Sequence, residues 1–362
     1  MKPVGDTLQS PAPADRAELP LVSIIVAAFN AAATIEETCR SALAQTYPSI
    51  EVLVVDDGST DTTADIVTEL AAADPRLRLI RQPNLGVAAA RNCGIAAARG
   101  ELLAPLDADD LWAPGKIAAQ VSRLAQAGSD TALVYCWWAW IDDHSNVLDR
   151  SPPWRIEGRA LQRLLEINVT GNASVPLFRR SVVLELEGYR SQLRDDGCQG
   201  CEDWDLALRV AERHRVAMVP EVLVGYRRRS DSMSTQDDTM WRSRAAVAQS
   251  IAMRNPSISS AMLRRSQGQF ALHLAGVAFW RGDILRACRW GLRTRPLWLG
   301  IAVSPYIARL LLRHIFRVAA TRPRLVAHGL TFDSSCPADP LIPYDRIYLG
   351  HWQTYDREPS HG

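Results

Sequence analysis

An α/β fold with a mostly parallel central sheet flanked by helices is predicted for this chain, followed by a C-terminal helical extension. Two observations carry that expectation. Between residues 21 and 110, short apolar runs alternate with segments of helical periodicity, and repeated strand–helix units imply parallel strands with helices on both faces. Acidic clusters also stand where these elements end or begin, and open α/β sheets bind ligands at the carboxyl ends of their strands.

The elements follow in order. Leu21 to Ala27 reads as an apolar strand ending at Phe29-Asn30, and Thr34-x-x-Glu37 as a capping box for a helix through Leu43. Val52 to Val55 is a second strand, running into Asp56-Asp57-Gly58-Ser59. A helix over Asp61 to Leu70 places Ile66, Val67 and Leu70 on one face. Leu77 to Ile80 is a third strand, and Val87 to Arg99 an Ala-rich helix stopped by Gly100. The apolar run Leu102 to Leu106 then delivers Asp107.

Beyond Lys116 the order loosens. A helix carrying Ile117, Val121 and Leu124 precedes an aromatic strand, Val134 to Trp138. Aromatics are common in strands, so most of Tyr135 to Trp140 reads as core, with one wall of an acceptor cleft as the alternative. A helix over Leu161 to Leu165, a loop Gly171 to Ser174 and a strand Val175 to Phe178 follow. Glu202-Asp203-Trp204 opens a helix toward Arg213, and Val216 to Val219 and Val222 to Tyr226 read as two closing strands. This second half is expected to be more antiparallel. The expected divisions are a disordered lead at 1–20, a catalytic domain at 21–236, a helical extension at 237–322 and a loose tail at 323–362.

Composition narrows the classes. The 47% hydrophobic and 22% charged fractions are those of a globular protein, and a formal net charge of +1 gives no global field toward nucleic acid. The seven cysteines are odd in number and scattered, which fits a reducing compartment better than a disulfide framework. Cys198 and Cys201 form a C-x-x-C pair, but without a second pair a zinc site is disfavoured. The first residues lack the apolar core of a signal peptide, and no uninterrupted apolar segment is long enough to span a bilayer.

The chemistry concentrates in Asp107-Ala108-Asp109-Asp110, three carboxylates in four positions. Crowding like charges is unfavourable unless a cation sits among them; the competing reading is a solvated turn capping the next helix. Asp56-Asp57 and Glu202-Asp203 could each be a helix cap as well. At equivalent ends of one sheet, the three clusters converge on one cleft.

Ordered pieces across residues 22 to 234 carry a resemblance. Val22 to Asn30, Gln45-Thr46-Tyr47-Pro48, Val54 to Asp61, Asn84-x-Gly86 and Ala90-Arg91-Asn92-x-Gly94 precede the Asp107–Asp110 cluster. Glu202-Asp203-Trp204, Pro220-Glu221 and Tyr226-Arg227 follow it. With these, the chain resembles family 2 glycosyltransferases of the GT-A fold, whose sheet carries a nucleoside-diphosphate-sugar site.

The resemblance implies a role for each cluster. Asp109 is the principal ligand of a divalent metal, Mg²⁺ or Mn²⁺, with Asp107 completing that shell or orienting the ribose, and Asp110 supporting the loop. Small Ala108 lets the backbone pass close to the donor. Asp56 and Asp57 contact the nucleotide base, the backbone at Ala28 and Phe29 lines its pocket, and Arg91 lies near the diphosphate; an ordinary helix-face ion pair is the other reading of Arg91. Asp203 is the base that takes the acceptor hydroxyl's proton, giving an inverted product. Glu202 orients the acceptor or its loop, and Trp204 stacks on an acceptor sugar or serves as plain core.

Three departures stand out. Ala27 replaces the family's usual Pro, and Arg229 stands where relatives carry a His that helps hold the metal. The Gln-x-x-Arg-Trp element of processive synthases is absent: Arg289-Trp290 has Arg286 where Gln is required. One sugar per encounter is therefore expected.

Phe270 to Arg295 reads as a helical hairpin turning at Arg281-Gly282-Asp283. Arg309, Arg313 and Arg317 form a basic stripe beside Ile307, Leu310, Leu311, Ile315 and Phe316, read either as a peripheral contact with an anionic membrane or as a solvated face. The function expected is transfer of a sugar to a glycan or lipid-linked hydroxyl acceptor in surface polysaccharide or glycoconjugate synthesis, in the cytoplasm or at the cytoplasmic membrane face. The alternatives are a sugar-phosphate nucleotidyltransferase, disfavoured by Ala27-Ala28-Phe29-Asn30 where a Gly-rich signature belongs, and a degenerate glycan-binding module.

Overall fold

The computed structural model describes residues 19–229, 237–280 and 282–294. The expected lead (all but its last two residues), the loose tail and the Arg309–Arg317 stripe lie outside them.

The chain alternates as expected through β1 (Val22–Ala28), α1 (Ile35–Leu43), β2 (Ile50–Asp56), α2 (Thr63–Ala73), β3 (Leu77–Arg81), α3 (Val87–Ala97) and β4 (Leu102–Asp107). β1 pairs in parallel with β2 and β4, and β2 with β3. β1 and β2 are buried almost throughout because helices cover both faces. Gly94 is what lets α3 lie close on this sheet: a Cβ there would meet Ile25 at 2.4 Å.

Next come β5 (Leu111–Trp112), α4 (Lys116–Gln126), β6 (Thr131–Ile141), β7 (Val147–Arg150) and α5 (Leu161–Glu166). β8 (Leu177–Arg179), α6 (Arg180–Glu185), α7 (Gln192–Asp195), α8 (Glu202–Arg213) and β9 (Arg215–Arg227) complete the sheet region. Among the described residues the strand order is β3-β2-β1-β4-β8-β6-β9-β5, with β7 on β6. β8 runs antiparallel to both β4 and β6, and β6 runs parallel to β9. It follows that β1, β2, β3, β4, β6 and β9 all point the same way, and their carboxyl ends form one rim.

The second half is more antiparallel than the first, as expected: four of its five pairings are antiparallel, although the longest, β6 with β9, is parallel. One local expectation needs correction. The two closing strands are one strand, β9. Cys136 pairs with Val219 and Trp137 with Val222, so Pro220-Glu221 is a bulge within a continuous strand. Pro has no N–H for the ladder, which is why its position reads as a break in sequence.

The capping box does not close on itself either. Thr34 precedes α1, but its hydroxyl donates to the carbonyl of Ala108 (2.8 Å), while Glu37 accepts from Ser145 and Arg227. Tertiary partners have recruited both side chains.

Among the described residues, the expected helical extension holds α9 (Asp237–Arg254), α10 (Ser260–Trp280) and α11 (Ile284–Arg293). α10 and α11 form the expected hairpin, and Asp283 caps α11 by accepting the N–H of Arg286. The Arg289-Trp290 pair sits in α11, with Trp290 fully buried.

Candidate active site on the carboxyl rim

The acidic loop leaves the end of β4 and crosses the rim. Its far end is β5, which pairs antiparallel with β9 through Leu111 and Gly225. Between these anchors the backbone is tied down by α1: Thr34 and Thr38 donate to the Ala108 carbonyl, and Thr38 also to that of Asp110 (2.9 Å).

Asp110 is completely buried, and its carboxylate accepts from Asn172, from Ser174 Oγ (2.6 Å) and from the N–H of Arg227 (2.9 Å). It supports the loop, as expected. Burial, and then the charges of Asp109 and Asp107, push its pKa well above the usual carboxylate value.

Asp107 and Asp109 are only partly covered. Burial pushes the Asp109 carboxyl up to about 6, the negative charge of Asp107 adds to the rise, and Arg229 and Arg227 oppose it. Arg229, unable to ligate a metal, thus sits within electrostatic reach of the Asp109 carboxylate. Among the described residues no group of three or more His, Cys, Asp and Glu side chains gathers as a metal cage. Two hard carboxylates, Asp109 beside an Asp107 that is shared with Arg91, do fit Mg²⁺ or Mn²⁺, which commonly bind through one or two carboxylates plus phosphate and water oxygens.

Beside this loop, at the end of β2, Asp56 and Asp57 are both buried, as is Ala28 at the end of β1, while Phe29 is 50% exposed. The carboxylate of Asp57 accepts from Gln82 (2.7 Å), the Leu85 N–H (2.9 Å) and the Gly86 N–H (2.8 Å). Its work is to fasten the loop leading into α3, where Gly86 adopts φ 93°. Asp56 accepts the Ser59 N–H (3.1 Å). The Ala28 carbonyl accepts the Asp57 N–H (2.8 Å), which joins the two strand ends into one wall.

Arg91 projects from α3 as a buried guanidinium. It pairs with Asp107, lies 5.2 Å from the centre of the Tyr189 ring, and leaves Nε without a hydrogen-bond partner. Asp203, in the first turn of α8, completes this arrangement. Burial pushes the Asp203 carboxyl up to about 7, against the pull of Arg91 and of the Trp204 N–H. One cation thus acts on carboxylates from two of the three clusters.

The remaining members of the third cluster turn inward. Both carboxylate oxygens of buried Glu202 accept from the N–H of Gly200 (2.9 and 2.8 Å), so it organises its loop. Trp204 is 1% exposed, its Nε1–H donates to the Leu164 carbonyl (3.0 Å), and the Arg244 guanidinium covers its ring at 3.9 Å. The expectation that Trp204 stacks on an acceptor is corrected: no ring surface is left for a sugar, and its role is core.

Sequence reasoning missed two residues. Arg227 is buried, and it donates through Nε to the Asp109 carbonyl (2.7 Å), through Nη1 to that of Asp142 (2.7 Å) and through Nη2 to Glu37 (2.8 Å). It clamps the acidic loop, α1 and the β6–β7 turn together; its motif was noticed, but an Arg near a strand end carries no signal of burial. Lys116 is fully buried over the Trp112 ring at 3.8 Å and donates to Gln120 (2.9 Å). Its rarity was the available signal, because Lys2 and Lys116 are the chain's only lysines.

The chain is similar to known proteins in sequence and in fold. Residues 23–186 match the family model "Glycosyl transferase family 2". The Bacillus subtilis (strain 168) protein EpsH, whose glycosyltransferase name is provisional, is 36% identical over 171 residues, 46% of this chain and 49% of that protein. An Escherichia coli enzyme, UDP-Glc:alpha-D-GlcNAc-diphosphoundecaprenol beta-1,3-glucosyltransferase WfaP, is 45% identical over 102 residues, 28% of this chain and 40% of the relative. The chain thus spans about half the length or less of these two relatives. Among solved structures, the mannosyltransferase PcManGT of Pyrobaculum calidifontis, in complex with GDP-Man and Mn²⁺, superposes with a TM-score of 0.57. That match covers 85% of this chain and 82% of the other at 22% identity, which shows a shared fold.

Proposed function

Residues 23–186 belong to glycosyl transferase family 2, and from that premise we propose that the chain is an inverting transferase. It moves one sugar from a nucleoside-diphosphate donor to an acceptor hydroxyl. The acceptor hydroxyl attacks the anomeric carbon from the face opposite the diphosphate. The new oxygen–carbon bond forms as the bond from that carbon to the diphosphate oxygen breaks. The hydroxyl proton passes to Asp203, and the electron pair leaves with the diphosphate.

The single observation that carries this reading is the placement of Asp203. It is a carboxylate with its proton affinity pushed up to about 7, held in electrostatic contact with Arg91 and Asp107. A general base works best when its pKa lies near the working pH. The absence of a second assigned nucleophile favours direct displacement over a covalent intermediate. Asp107 and Asp109 would hold a divalent cation, which would supply charge stabilisation for the departing diphosphate. Arg91 adds a cation on the same side, while Asp56, the backbone of Ala28 and Phe29, and the loop held by Asp57 would border the base. Glu202 acts on its own loop.

The acceptor class is a hydroxyl on a surface glycan or glycoconjugate under synthesis, with a lipid-linked glycan as one form. The similarity to WfaP, whose name specifies a diphosphoundecaprenol-linked acceptor, supports that choice. Release of nucleoside diphosphate from a panel of nucleotide-sugars, with and without Mn²⁺, tests the class. NMR of the product anomer tests the stereochemistry. A retained anomeric configuration, or no turnover on any donor with any metal, would overturn the proposal.

A further inference from the structure

We propose that the outer face of α11 docks on an anionic lipid surface, making the protein a peripheral membrane protein. The inner face of this helix is firmly placed. Trp290 is buried, its Nε1–H donates to Asp237 (2.9 Å), and its ring packs against Trp241 with centroids 5.2 Å apart. The outer face is apolar. Ile284, Leu285, Cys288 and Leu292 recur on one side of the helix at helical spacing, and the three aliphatic side chains are 54%, 86% and 62% exposed. Single exposed leucines are ordinary, whereas a stripe of them marks a contact surface.

Arginines border the stripe. Arg286 and Arg289 are held by Asp237 (2.6 Å) and Asp238 (2.8 Å), and the Arg293 guanidinium lies 4.7 Å from the centre of the Trp290 ring.

Charge identifies the occupant. The formal net charge of +1 hides a segregation. Between Asp283 and Asp333 the sequence holds nine arginines and no acidic residue, against 32 Lys and Arg and 40 Asp and Glu in the rest of the chain. A second copy of the chain would double this unbalanced positive charge. Nucleic acid would satisfy the arginines and leave the leucines wet. An anionic bilayer takes both: the stripe enters the boundary between headgroups and acyl chains, and the positive charge that this stretch of sequence carries without a carboxylate of its own attracts lipid phosphates. No helix among the described residues is long and apolar enough to cross a membrane, so the contact lies in the interface plane.

This inference goes beyond the transferase reading and does not rest on it, and its test contains neither donor nor acceptor. The full chain is sedimented with vesicles of phosphatidylcholine alone and of phosphatidylcholine with phosphatidylglycerol. Binding to the anionic vesicles is expected to be about tenfold stronger or more, and to weaken as salt is raised. The double substitution Leu285→Asp with Leu292→Asp should abolish it while leaving the melting temperature unchanged, since both side chains are exposed. Equal partitioning to the two vesicle types, or undiminished binding by the double variant, would overturn the proposal. So would a wild-type dimer that the double variant dissolves, or tighter retention on duplex DNA than on anionic vesicles.

Discussion

The Arg91 guanidinium donates to the carboxylate of Asp107 from within α3, joining a helix to the acidic end of β4. Its positive charge also acts on Asp203, holding that carboxyl below the value burial alone would give. Arg91→Ala should therefore raise the Asp203 pKa further and move the acidic limb of the rate profile to higher pH. A fall in kcat of roughly a hundredfold is expected, because a buried cation facing the departing diphosphate is lost. Arg91→Lys should recover part of the rate. The pH dependence of kcat for the two variants checks the idea, and an unmoved acidic limb would exclude the electrostatic link.

Asp203 predicts its own pH behaviour. As a base pushed up to about 7, it should make activity rise as pH increases through that value. Asp203→Asn should lower kcat by roughly 10²- to 10⁴-fold, leaving donor affinity near wild type. Stability should respond in the opposite sense. A carboxyl whose folded pKa exceeds its unfolded value stabilises the fold at low pH and loses that contribution as pH rises through the folded value. Asp203→Asn should therefore gain on the order of 1 kcal/mol over wild type at pH 8, with little difference at pH 4, as read from chemical denaturation.

Asp109 and Asp110 are adjacent but should fail differently. Asp110→Ala leaves Asn172, Ser174 and the Arg227 N–H without their shared acceptor, a loss of about 3 kcal/mol by urea unfolding. Asp109→Asn should fold normally and lose metal-dependent turnover by roughly a hundredfold or more. Equal stability losses in the two variants would contradict the division of labour.

Trp204 separates core from acceptor contact. Trp204→Phe deletes the hydrogen bond to Leu164 and should cost about 1–2 kcal/mol of stability, with KM for the acceptor unchanged. A selective rise in acceptor KM without destabilisation would restore the stacking role.

Lys116 carries a stability prediction. Burial lowers its pKa to about 7, so the folded state sheds a proton that the unfolded chain keeps until about pH 10.4. Wild-type stability should increase with pH across that window and be lost as pH falls through about 7. Lys116→Met should flatten this dependence and be more stable than wild type at pH 6, by about 1 kcal/mol or more. Thermal melts of both proteins across the window measure it.

The parallel half of the fold was legible because its central strands carry apolar runs bounded by turn residues, as in the Val52 to Val55 stretch of β2 before Gly58-Ser59. Long-range pairing was not. Pro220 reads as a break because sequence shows its missing N–H but not the bulge that accommodates it. The acidic clusters were legible as chemistry, since carboxylates at strand ends have few structural reasons to accumulate. Their division into exposed and spent groups was not legible: Asp57, Asp110 and Glu202 are consumed by hydrogen bonds to loops and distant side chains. Arg227 was invisible as a clamp because its partners Glu37, Asp109 and Asp142 lie 190, 118 and 85 positions away.

The short pairing of β5 with β9 holds the acidic loop across the rim. The work of gathering Asp107, Asp109 and Asp110 against their mutual repulsion is therefore done when the chain folds. The negative charge of Asp107 raises the proton affinity of Asp109, and the charges of both raise that of Asp110; a cation bound among them would tighten the whole molecule. A melting temperature then doubles as a gauge of occupancy, and a substitution that removes the charge of Asp109, which no side-chain hydrogen bond among the described residues consumes, will tend to toughen the protein while it silences it.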